Sequence, residues 1–173
     1  MTIVSAQWIG AFAIAAAACW CDVRTRRIPN RLTFPAALIG IIVATIAHGG
    51  GGAVSSAAGA LVGLAIFFPL FLLRGLGAGD VKLMAALGGW VGASMIFGVA
   101  FYTCLAGGVL ALVLVVKHRY GRQMARNFWL LLTHWRVFGI GPLDSLTLDT
   151  SAGPKLPYAL PISAGLALAC WRW

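Results

Sequence analysis

Uncharged apolar runs alternate with short polar connections along the whole chain, and their lengths decide what they are. Residues 3–21 carry no charge, and at 1.5 Å per residue a helix of that length crosses a hydrocarbon core about 30 Å thick. No basic residue precedes the run, so it reads as a span rather than a secretory signal. Residues 32–47 and 53–73 are two further uncharged runs, separated by His48 and the turn Gly49-Gly50-Gly51-Gly52, and Pro69 is expected to kink the second of them. Residues 83–116 form an uncharged run about 51 Å long, too long for one crossing, so two helices broken near Gly98 are expected. Residues 156–171 make a sixth run. The pattern predicts an all-α polytopic integral membrane protein in one domain, residues 1–173. Its six transmembrane helices are expected at about 3–21, 32–47, 53–73, 82–98, 99–116 and 156–171. The stretch 117–136 breaks the pattern with five basic residues, no acidic one and the cluster Phe128–Leu132. That composition suits an amphipathic helix in the headgroup layer.

Composition sharpens this picture. A mean hydropathy of +0.92 excludes an ordinary soluble domain. The net charge of +9 is not a nucleic-acid footprint, because the basic residues sit in the connections between apolar runs. With six spans, the connections after the first, third and fifth lie on one side of the membrane. They hold Arg24, Arg26, Arg27 and Arg31, then Arg74 and Lys82, then the basic residues of 117–136 and Lys155. Twelve of the thirteen Lys and Arg residues therefore share a side, with Arg172 opposite. The positive-inside rule makes the crowded side cytoplasmic. Cys19, Cys21, Cys104 and Cys170 lie in apolar runs without a C-x-x-C pairing, and His48, His118 and His134 are scattered. Neither a metal site, nor a cofactor, nor a disulfide framework is indicated.

Four aspartates and no glutamate supply all the acidity: Asp22, Asp80, Asp144 and Asp149. Asp144 and Asp149 sit in a polar loop and read as solvated. Asp22 closes the first run, and Asp80 opens the fourth inside Gly77-Ala78-Gly79-Asp80. An ionisable group beside the hydrocarbon core is costly, so by default it marks a functional site. The glycines at 77 and 79 let another backbone, or a substrate, approach the Asp80 carboxylate closely. Asp22 and Asp80 fall on the same, cytoplasmic side. Two carboxylates held together share a proton around a water: one takes the water's proton while the other polarises a carbonyl. The reading is a membrane aspartyl protease with Asp22 and Asp80 as its dyad.

The motifs around these aspartates also resemble a known family. Asp22-Val23-Arg24 with Ile28-Pro29-Asn30, then Gly77-x-Gly79-Asp80-Val81-Lys82-Leu83, then Pro157-Tyr158-Ala159-x-Pro161, are similar to the signatures of type IV prepilin peptidases, the A24 aspartic proteases. The resemblance implies catalytic roles for Asp22 and Asp80, with Gly77, Gly79, Lys82, Pro157 and Tyr158 around the substrate's approach. It implies no cofactor or metal. It further implies hydrolysis of the bond joining the basic leader of a prepilin to its hydrophobic mature segment. That reaction would occur at the cytoplasmic face of a bacterial inner membrane, with prepilin and lipid as partners. Bifunctional family members carry an extra N-terminal domain with cysteine pairs and an N-methyltransferase activity. The likeness here is to the short, peptidase-only branch serving Flp-type pili. Two other classes fit the same pattern of runs and acids. A presenilin-like GxGD protease would cut within the membrane, although its second aspartate normally lies inside a span. A non-enzymatic pilus export subunit or transporter would use the aspartates as ion-pathway groups. Cleavage of a purified prepilin separates the three.

Overall fold

The computed structural model describes residues 3–73, 75–117 and 157–172, together with Gly121, Arg122, Arg126, Trp129, Leu130, Thr133, His134 and Arg136. Most of the expected headgroup helix 117–136 lies outside the described residues, as do Arg74, Asp144, Asp149 and Lys155. The chain builds α1 (Ile3–Thr25), α2 (Asn30–Leu72), α3 (Ala78–Lys117) and α4 (Ala159–Arg172). Three of these, over Ala6–Thr25, Asn30–Leu72 and Ala78–Lys117, are long and apolar enough to cross a membrane. The protein is all-helical among the described residues and of membrane-spanning character.

Glycine decides where the long helices turn. In α2 the residue that leaves helical dihedrals is Gly49 (φ 63°, ψ −147°), while Pro35 and Pro69 stay within the helix. Gly52 packs against the Ala44 carbonyl and the His48 side chain. Ala44 and Gly52 would stand about 12 Å apart in a straight helix, so the chain folds back at Gly49. Its arms, 30–48 and 50–72, then bring Gly40 and Ser56 to the same residue, Gly89, whose carbonyl accepts the Ser56 hydroxyl. The same device recurs in α3 at Gly92 (φ 81°, ψ 172°). Gly63 lies against both Met84 and Ile96, which a straight helix would separate by about 18 Å. The break expected near Gly98 therefore lies at Gly92. Only glycine reaches these positive φ values without strain.

The first arm of α3, residues 78–91, forms the centre of the bundle. Leu83, Met84, Ala86 and Leu87 are fully buried, and Val81 and Trp90 nearly so. Small residues let the surrounding backbones close on it: Gly59 meets Gly88, and the Trp90 ring lies over Gly10 of α1 and Gly40 of α2. The Trp90 indole N–H donates to the Ala36 carbonyl at 2.7 Å, so its polar edge is satisfied. This arm is about 21 Å long, shorter than a hydrocarbon core of about 30 Å, so its two ends cannot both reach the membrane surfaces. The second arm, 93–117, packs on α4 with Thr103 against Gly165 and Gly107 against Pro161. The α1–α4 seam is joined by Cys19 Sγ and Ser163 Oγ at 3.0 Å. Ile46, Val54, Leu61, Val109 and Val116 remain exposed, as helix surfaces facing lipid require.

Candidate active site

Asp80 is held by the way α3 begins. Gly77 precedes the first helical residue, which puts Asp80 at the third position of the first turn. From there its Oδ2 reaches back to accept the Gly77 backbone N–H at 3.2 Å, while its own N–H donates to the Gly77 carbonyl at 3.1 Å. The first of these bonds is the N3 side-chain half of a capping box, with an aspartate in the usual Glu or Gln role. The Gly-x-Gly-Asp stretch is thus a helix start that fixes a carboxylate at the positive end of α3. Gly79 serves a different purpose. A Cβ there would stand 3.0 Å from Ile28 Cβ, so glycine lets the connection between α1 and α2 close over the start of α3.

Asp22 comes from the opposite kind of helix end. It lies in the last turn of α1, where Thr25 Oγ1 donates to the Cys21 carbonyl and the Arg26 N–H to the Asp22 carbonyl. Arg26 turns into the left-handed region (φ 52°) and ends the helix. Pro29, extended at φ −72° and ψ 142°, then starts α2. The Asp22 side chain points across the bundle, where Oδ2 accepts the Ala159 backbone N–H at 3.2 Å, the first of α4. Neither Pro157 nor Tyr158 offers a carboxylate, amide or aliphatic hydroxyl to cap that helix. Asp22 therefore does so from another element.

Both carboxylates are 8% exposed, and both line one pocket of about 320 Å³. They are close enough for their charges to interact. The positive ends of α3 and α4 converge on them, which favours negative charge in a site otherwise removed from water. Gly77, Gly79 and Lys82 line the same pocket. Pro157 and Tyr158 stand at the start of α4, with Tyr158 close enough to Asp80 for electrostatic interaction. All seven residues singled out in the sequence are therefore gathered at one end of the bundle. Arg26, Arg27, Ile28, Asn30 and Ala78 complete the lining. Asn30 is tied to the site through Lys82, whose Nζ donates to Asn30 Oδ1 at 2.9 Å and lies 5.8 Å from the Phe34 ring centroid. The ammonium is thereby held at the rim. Asn30 occurs in the Ile28-Pro29-Asn30 motif, but its partner lies 52 positions away and no local pattern announces it. The Ala159 N–H is a backbone donor and leaves no compositional trace.

Comparison with known proteins adds an independent finding. The type IV leader peptidase family matches residues 9–112. The chain is 32% identical over 127 residues to the prepilin leader peptidase/N-methyltransferase of Neisseria gonorrhoeae, covering 68% of this chain and 42% of that protein. It is 30% identical over 132 residues to the protein of the same name from Dichelobacter nodosus, covering 72% and 45%. For that of Burkholderia pseudomallei (strain 1026b) the identity is 34% over 104 residues, covering 57% and 34%. The chain thus spans less than half the length of the curated relatives it matches. No solved structure matches it.

Proposed function

The chain belongs to the type IV leader peptidase family, and on that premise we propose that it is an aspartic endopeptidase removing the leader of type IV prepilins. The observation that carries the reading is the meeting of Asp22 and Asp80, 58 positions apart in sequence, in one pocket at two helix N-termini. The proposed site faces the cytoplasm across a bacterial inner membrane, in keeping with the arginines and lysine at its rim. The Flp-type branch is the finer form of the same proposal.

The chemistry runs between the two carboxylates. A water seated between them loses a proton to the ionised carboxylate as its oxygen attacks the scissile carbonyl carbon. The protonated carboxylate gives its proton to the carbonyl oxygen, producing a neutral tetrahedral gem-diol. Collapse breaks the C–N bond: one gem-diol hydroxyl returns its proton to a carboxylate, and the leaving nitrogen takes the other proton. The dyad ends with the single shared proton with which it began. The helix ends of α3 and α4 stabilise the charge that moves between the aspartates, being already oriented before reaction. Lys82, fixed by Asn30 and Phe34, presents its remaining N–H groups to the substrate backbone at the rim.

The test uses the purified protein in detergent with a purified full-length prepilin from the same genome. Mass spectrometry should find the leader and the mature chain as two products of one hydrolysis. An intact prepilin after prolonged incubation, with every candidate prepilin tried, contradicts the reading.

A further inference from the structure

A second concavity lies at the other end of α4 from the aspartates. It is a groove of about 540 Å³ between the second arm of α3 and the last turn of α4, lined by Phe97, Gly98, Phe101, Tyr102, Ala169 and Arg172. From Ala159, whose N–H binds Asp22, to Ala169 the helix advances about 15 Å, so the groove has no part in the dyad. We propose that it binds one phospholipid, with the lipid phosphate on Arg172 and an acyl chain laid over Gly98 alongside Phe97 and Phe101.

Three observations converge on that occupant. The first is charge. Arg172 is exposed, and the two described carboxylates, Asp22 and Asp80, both sit at the opposite end of the bundle. A guanidinium is matched in geometry to phosphate oxygens, which it binds through paired N–H groups. The second is depth. Trp171, beside Arg172, is 86% exposed, and an exposed tryptophan at the end of an apolar helix belongs at the headgroup level. That places the cation where phosphates are, at the end of a helix whose negative pole favours it. The third is shape. No atom lies within 4 Å of where a Gly98 Cβ would stand, so the groove floor is open, with the half-exposed Phe97 and Phe101 rings stacked along its one flank. An apolar face alone would not select one lipid from the bilayer, because lipid chains are as apolar as the side chains. The combination of a cation far from the described carboxylates with a chain-shaped groove does.

Native mass spectrometry of the protein in mild detergent, titrated with phosphatidylglycerol, tests the proposal. The wild type should hold one lipid that withstands detergent exchange, and Arg172→Ala should weaken its retention by about tenfold. Gly98→Leu places a side chain in the groove, its Cβ in open space, and should weaken retention as well. Arg172 is exposed and a Cβ at Gly98 meets nothing within 4 Å, so cooperative melting of both variants, no lower than the wild type's, is the folding control. Wild-type retention in both variants overturns the proposal. Loss in Arg172→Ala with full retention in Gly98→Leu overturns it too, by reducing the site to a surface phosphate contact. If Gly98→Leu instead keeps its lipid but slows leader removal, the groove is the substrate's and the lipid assignment falls.

Discussion

A carboxylate at the end of α1 meets the negative pole of its own helix, an unfavourable place for an anion. Asp22 occupies that place because its side chain reaches the start of another helix, and the bond to Ala159 N–H makes it a cap for α4. A capping role and a chemical role then respond differently to substitution. Asp22→Asn keeps an oxygen acceptor and should melt near the wild type while losing activity. Asp22→Ala removes the acceptor as well and should cost about 1 kcal/mol of stability, the usual price of a lost cap. Thermal unfolding in detergent separates the two, and identical melting of both variants would show that the cap is idle. That Asp22 and Asp80 belong together was legible in the sequence, because four acids in so apolar a chain leave few candidates, and the two line one pocket. The sequence placed Ala159 and Asn30 in motifs but gave neither its bond, because their partners are 137 and 52 positions away.

Among the elements, each glycine is understood by what surrounds it. Gly79→Ala would push on Ile28 across 3.0 Å and so move the connection that carries Arg26 and Arg27 against the pocket. It should lower the rate of leader removal with little change in melting temperature. Gly59→Ala sets a methyl group against the Gly88 carbonyl in the centre of the bundle, an overpacking that should destabilise by about 1–3 kcal/mol. Gly50→Ala and Gly51→Ala meet nothing within 4 Å in helical backbone, and each should stabilise by about 0.5–1 kcal/mol. Melting curves of the set check the order, and a destabilised Gly50→Ala would refute the assigned turn. The first reversal was legible because four consecutive glycines have no other use in an apolar chain. The second was not. Residues 83–116 contain Gly88, Gly89, Gly92, Gly98, Gly107 and Gly108, and hydropathy does not distinguish them. The backbone does: of these glycines Gly92 takes a positive φ (81°), against Ser55 of α2, while the others keep helical dihedrals.

For the whole molecule, the two reversals determine which ends lie together. The first arm of α2 carries the chain about 28 Å from Asn30 to its turn, leaving residue 50 at the far end from the pocket. In a cysteine-depleted background, single cysteines at positions 26 and 78 should react with an impermeant thiol reagent from the cytoplasmic side only, and one at position 50 from the opposite side only. Labelling of positions 26 and 50 from the same side would overturn the expected topology. The helical class and the clustering of basic residues could be read from hydropathy and charge, since the bilayer imposes both on any spanning chain. The short central arm could not, because its length is set by the glycine chosen for the turn. The central claim is that one pocket with two carboxylates performs hydrolysis. The measurement bearing on it most directly compares the purified wild type with Asp22→Asn and Asp80→Asn on one prepilin, each first shown to melt as the wild type does. Loss of either general acid–base group should slow leader release by on the order of 10²–10⁴-fold. Leader release at the wild-type rate by either folded variant would contradict it.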